Sequence, residues 1–186
     1  MEQNTKQQRQ ELRQAYIELG LNMKPNAFIT LTTNKAAKTQ PRNKVPTKGP
    51  PKDLTWRHQG EPKISDISKT LDMTHLIGEY LAMMDRALLG RKWSQLPADQ
   101  RTDGIFIIEH TSTNIHAHGL LRFPTPKTRN IEELTKEKWS RLTQAGDTNY
   151  QAIYDAQVCA EYCTKEMSGY LFNPDQVALP GQFMAA

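Results

Sequence analysis

The spacing of apolar residues changes several times along the chain, and each change marks an element. In residues 6–19, Leu12, Ala15, Tyr16 and Leu19 recur at i, i+3, i+4 and i+7, which predicts an amphipathic helix stopped by Gly20. Residues 27–33, AFITLTT, alternate instead and are rich in β-branched side chains, so they predict a strand. No period survives in residues 34–63, where Pro41, Pro46, Pro50, Pro51 and Pro62 predict a long loop. A helical stripe returns with Ile67, Leu71, Ile77, Leu81, Met84 and Leu88, capped by Ser65 or Asp66 and ended after Leu89 by Gly90. Residues 104–110 (GIFIIEH) and 114–123 (NIHAHGLLRF) then predict a β-hairpin turned by Thr111, Ser112 and Thr113. Asn130 and Glu133 make a capping pair for a helix carrying Ile131, Leu134, Trp139 and Leu142. A short strand over residues 150–154, a helix over 156–167 and an irregular tail follow.

Strands set in pairs between helices, with a hairpin at the centre, predict an α+β fold in which an antiparallel sheet of about four to five strands is covered by helices. The chain of 186 residues, 37% of them hydrophobic, holds enough apolar material for one core and not two. Residues 27–172 form the expected domain, with 1–26 as an amphipathic lead-in and 173–186 as the tail. No window approaches the ~20 apolar residues of a membrane span, and the polar first ten residues do not read as a secretory signal. The expected setting is therefore the cytoplasm, away from membranes. Cys159 and Cys163, one helical turn apart, are expected as reduced thiols and lack partners for a zinc site.

Charge changes this picture by its distribution more than by its net value of +4. Residues 1–63 carry 12 Lys and Arg against 5 Asp and Glu, whereas the remainder carries 12 against 15. Most of the excess lies in the proline-rich loop, and a polyanion is the partner it implies.

The hairpin concentrates the candidate chemistry. His116 and His118 are two residues apart on one strand, so they project from one face at a spacing of roughly 7 Å. Ile115, Ala117, Gly119, Leu121 and Phe123 take the other face, which a helix is expected to cover, leaving the histidines pointing away from the apolar layer. Closing the hairpin at Ser112 and Thr113 sets Glu109 opposite His116 on the same face. Two imidazoles and a carboxylate with open positions suit Mg²⁺, Mn²⁺ or a similar divalent ion that also binds substrate oxygens. In the last helix, at ~100° per residue, Tyr162 lies about 60° from Lys165 and about 40° from Glu166. The three share a face beside an apolar one.

FITLTTN at residues 28–34, HAH at 116–118 with an acid on the preceding strand, and EYCTK at 161–165 follow one another in the order of three motifs of the HUH endonucleases. The chain resembles the single-tyrosine rolling-circle replication initiators (Rep proteins) of that superfamily, over most of residues 27–167. The resemblance implies an HUH nuclease fold, related to ferredoxin-like and RRM-like sandwiches, and nicking and joining of single-stranded DNA through a 5′-phosphotyrosine. It implies Tyr162 as nucleophile, Lys165 as its charge partner or phosphate clamp, and a divalent metal, Mg²⁺ or Mn²⁺, on Glu109, His116 and His118. Glu166 becomes a candidate for activating water in a terminating cleavage. Thr30, Thr32 and Asn34, alternating on one strand, and Lys44, Lys48 and Lys52 in the basic loop become candidates for DNA contact. The expected partners are single-stranded or hairpin origin DNA and, since no G-x-x-x-x-G-K-[ST] loop occurs, a separate host helicase and polymerase. Alternatives are an HUH relaxase or transposase and a non-catalytic single-stranded-DNA-binding protein. A relaxase usually bears a histidine triad where this chain offers His116, His118 and Glu109.

Overall fold

The computed structural model describes residues 2–33, 64–110, 114–124, 130–143, 145–168 and 172–183. The basic loop over 34–63, with Asn34, Lys44, Lys48 and Lys52, lies outside the described residues, as does the hairpin turn at 111–113.

Helix α1 (Glu2–Asn22) runs two residues past Gly20. That glycine serves a close approach, not a stop. A β-carbon there would lie 3.2 Å from Leu120 Cδ1 and 3.5 Å from Ile105 Cγ2, where the helix crosses the sheet. After the reversal at Lys24, with φ of 53°, comes β1 (Ala27–Thr32). Helix α2 (Ile64–Leu89) ends as expected at Gly90, whose φ of 88° suits a residue without a β-carbon. Strands β2 (Asp103–Glu109) and β3 (His116–Arg122) form the expected hairpin pair, with Glu109 opposite His116. Asn130 caps α3 (Ile131–Leu142), its side-chain oxygen accepting from the backbone N–H groups of Glu132 and Glu133 at 3.0 and 3.4 Å.

Helix α2 begins at Ile64, so Ser65 and Asp66 lie within its first turn and do not cap it, and three further boundaries differ from the apolar pattern. Strand β4 (Thr148–Ala152) starts two residues earlier than its pattern predicts. It is an edge strand with no buried residue, so pairing to β1 and not apolar alternation sets its limits. Helix α4 (Ala156–Cys163) stops four residues early, and Lys165–Ser168 continue as a tighter 3₁₀ turn. In the tail expected to be irregular, β5 (Val177–Ala178) pairs with Phe106 and Ile107, and Gln176 Nε2 donates to the Ile108 carbonyl at 2.9 Å. Two residues are too few to show a period.

The fold is α+β, a five-stranded antiparallel sheet ordered β4-β1-β3-β2-β5. Alternation divides it into two faces. Ile29, Leu31, Phe106, Ile108, Ala117 and Leu121 pack beneath Ile77, Leu81 and Met84 of α2 and Trp139 of α3. Phe28, Ile105, Ile107 and Leu120 pack beneath Ile17 of α1 and Ala160 and Cys163 of α4. The histidine face thus does not simply point away from an apolar layer. Half its length is a second core roofed by α1 and α4, and burial beneath that roof raises the pKa of the Cys163 thiol. In the first core Trp139 Nε1 donates to the Thr32 carbonyl at 2.7 Å. Among the described residues no helix is long and apolar enough to cross a membrane.

Candidate active site

The polar site begins where the second core ends. Along β3 the face carries Leu120, then His118, then His116, and the register sets Phe28, Thr30 and Thr32 of β1 beside them in the same order. Glu109 closes the row from β2 and is 1% exposed.

Second partners fix both rings. His118 Nδ1 lies 2.9 Å from Thr30 Oγ1, and its Nε2 lies 3.3 Å from Lys165 Nζ. An ammonium only donates, so Nε2 accepts and Nδ1 carries the proton given to Thr30. His116 Nδ1 faces the Asn114 carbonyl at 3.1 Å, which accepts only, so that nitrogen also carries its proton. Both Nε2 atoms then turn to the same oxygen, Glu109 Oε2, at 3.4 and 3.5 Å. Rings tied through Nδ1–H to an oxygen and presenting Nε2 have the tautomer that ligates metal.

Burial alone would push the Glu109 carboxyl up, but hydrogen bonds from His116 and His118, donated when a ring carries a second proton on Nε2 in place of a metal, and from Lys165 outweigh it and hold the group well below the usual carboxylate range. Glu109 in turn raises the His116 pKa, because the imidazolium with its second proton on Nε2 donates to the carboxylate, against the opposing effect of burial. The second oxygen, Glu109 Oε1, is buried with no hydrogen-bond partner among the described residues. A buried anionic oxygen without a donor, beside oriented imidazoles, fits a divalent cation. The residues implied as ligands therefore fit the metal they are expected to hold.

Tyr162 and Lys165 reach this row from the roof. The Tyr162 ring is half exposed and meets His118 edge to face at 5.1 Å between centroids and Phe28 at 5.8 Å. Lys165 Nζ donates to Glu109 Oε2 at 2.8 Å and sits 4.2 Å from the Tyr162 ring centroid. The expected face-sharing assumes a continuous α-helix. Instead, the tighter turn after Cys163, with about three residues per turn, brings positions 162 and 165 close to eclipsed. Thr164 Oγ1 donates to the Ala160 carbonyl at 2.9 Å at this turn. Arg13 of α1 donates to the carbonyls of Thr164 and Glu161 at 3.1 and 3.0 Å, a cation on the C-terminal carbonyls of the helix.

The other candidates are distributed around the centre. Thr30 is engaged with His118, whereas Thr32 Oγ1 donates to the Asp147 carbonyl at 3.3 Å and accepts from its backbone N–H at 3.0 Å. Glu166 Oε1 lies 3.1 Å from His110 Nε2. Strict alternation hides His110, because it places that residue on the face opposite Glu109. With φ of 54°, His110 leaves the strand path, and its ring stacks on His116 at 4.9 Å. Comparison of the chain with family models, curated proteins and solved structures finds no match.

Proposed function

We propose that this chain is a single-tyrosine HUH endonuclease that nicks and rejoins single-stranded DNA and initiates rolling-circle replication in the cytoplasm. The observation that carries the reading is the convergence of the nucleophile helix and the hairpin on one spot. The Tyr162 ring lies 5.1 Å from His118, and Lys165 bonds Glu109 at 2.8 Å.

In this mechanism the Tyr162 phenolic oxygen attacks a phosphodiester. The bond from that oxygen to phosphorus forms, the bond from phosphorus to O3′ breaks, and the phenolic proton is replaced on the released 3′-hydroxyl. The phosphotyrosine retains the ester for rejoining. Glu109, His116 and His118 would hold the metal, which when bound supplies positive charge for the phosphoryl oxygens. Lys165 adds charge beside the tyrosine and the carboxylate. Phe28 and His118, stacked on each other, both meet the ring edge to face, which limits its orientations and so the directions from which a phosphate meets its oxygen. Thr30 positions His118, and Lys44, Lys48 and Lys52 supply sequence-independent affinity for the strand. A host polymerase would extend the freed 3′ end while a separate helicase opens the duplex.

The test is metal dependence of the covalent product. Chelation is expected to abolish the adduct with single-stranded DNA, and Mn²⁺ or Mg²⁺ to restore it. Undiminished adduct from the His116→Ala, His118→Ala double variant in chelator overturns the assignment.

A further inference from the structure

We propose that His110 contributes a third imidazole to the metal centre and that Glu166 holds it there. The inference deepens the nuclease reading and rests on it for the use made of the metal. The binding claim itself rests on the geometry of the ring.

The donor atoms of Glu109, His110 and His116 lie within 4.8 Å of one another, beside the contacts that His116 and His118 make with Glu109 Oε2. His110 gains this place through a backbone conformation that side chains rarely adopt, with φ of 54°. A residue without glycine's freedom holds such a conformation where its surroundings determine it, and that is common at functional sites. Among the described residues, two contacts surround the ring. The ring stacks on His116 with planes 23° apart, and Glu166 Oε1 lies 3.1 Å from Nε2. A carboxylate on one ring nitrogen orients the imidazole and raises the basicity of the other, the common arrangement behind a ligating histidine. Glu109 Oε1 is the buried oxygen still lacking a donor among the described residues, so the carboxylate has capacity for the shared cation.

Glu166 follows Lys165 directly on the tight turn, so one segment secures two parts of the centre. Lys165 reaches the carboxylate and Glu166 reaches His110. Three nitrogens and one carboxylate favour Co²⁺ and Mn²⁺ over Mg²⁺ more strongly than two nitrogens would.

The experiment is titration of the full chain with Co²⁺, followed by its visible absorption, for the wild type, His110→Ala and Glu166→Gln. His110→Ala is expected to weaken Co²⁺ binding at least about tenfold and to alter the band shape, because a ligand is lost. Glu166→Gln is expected to weaken it about tenfold with the band shape kept, within the range for outer-shell partners. Wild-type affinity and spectrum in His110→Ala overturn the proposal. Should that variant fail to fold, ¹⁵N resonances of the wild-type histidine rings with and without Zn²⁺ decide it. The His110 ring nitrogens are expected to shift together with those of His116, and an unmoved His110 overturns the proposal. Co²⁺ binding that depends on His110 in a protein forming no DNA adduct would uphold this inference and contradict the nuclease reading. An adduct-forming protein whose metal binding ignores His110 would do the reverse.

Discussion

Glu109 illustrates how one residue acquires its role from its neighbours. Sequence shows only a carboxylate at the end of an apolar strand. The fold buries it, which disfavours its charge, and then surrounds it with Lys165 and two histidines that more than reverse the penalty. Because its folded pKa lies below the ordinary carboxylate value of about 4.3, the group binds fewer protons folded than unfolded in the interval between. Its contribution to stability is therefore complete above the ordinary value and is lost as pH falls through the folded one. Thermal unfolding in chelator is expected to show Glu109→Gln less stable than wild type near neutrality, with the difference shrinking under acid. A difference that stays constant from neutral pH down to strong acid would show that Glu109 is not charged in the folded chain. His116 has the opposite sign. Its folded pKa is raised by Glu109, so its share is complete below the ordinary histidine value and is lost as pH rises through the folded one.

At the scale of elements, the important event is the end of α4. An uninterrupted helix through residue 167 would set Lys165 about 60° from Tyr162, whereas the early stop and tight turn bring the two nearly into line, with Lys165 on Glu109 and Glu166 on His110. Arg13 secures that stop from the neighbouring helix. Arg13→Ala is expected to cost about 1 kcal/mol of stability, the scale of a cation at a helix C-terminus. It should also slow adduct formation severalfold and weaken Co²⁺ binding by less than Glu166→Gln does, because the turn carries both Lys165 and Glu166. Equal adduct rates for the variant and the wild type would show that the turn holds without Arg13. Apolar periodicity reveals α2, α3 and the β2–β3 pairing because each buries a regular stripe. It misses the end of α4, since the apolar residues continue through Cys163 and Met167 while the backbone changes its winding. It also misplaces β4, an exposed edge with no stripe to read, and overlooks β5, a strand of two residues.

For the whole molecule, helices on both sheet faces divide the labour. The α2 and α3 side is a closed apolar core, and the α1 and α4 side leaves one end of the sheet open for polar groups from β1, β2, β3 and the turn after α4. Much of this site was legible in the sequence. His116, His118 and Glu109 share a face by period and register, and the register is as expected. His110 was not legible, because its place depends on a local left-handed backbone that alternation cannot show. Nor was the role of Thr30, whose hydroxyl meets His118 only because β1 lies beside β3 and not beside β2. The account comes together in one atom, the phenolic oxygen of Tyr162. The most direct test is to incubate the full chain with Mn²⁺ and a pool of random single-stranded oligonucleotides, digest it, and map the attached nucleotide by mass spectrometry. The account predicts a 5′-phosphodeoxynucleotide on Tyr162 and no adduct from Tyr162→Phe with its fold and Co²⁺ binding intact. A nucleotide mapped to Tyr154 or Tyr170, or an adduct that persists in Tyr162→Phe, would contradict it.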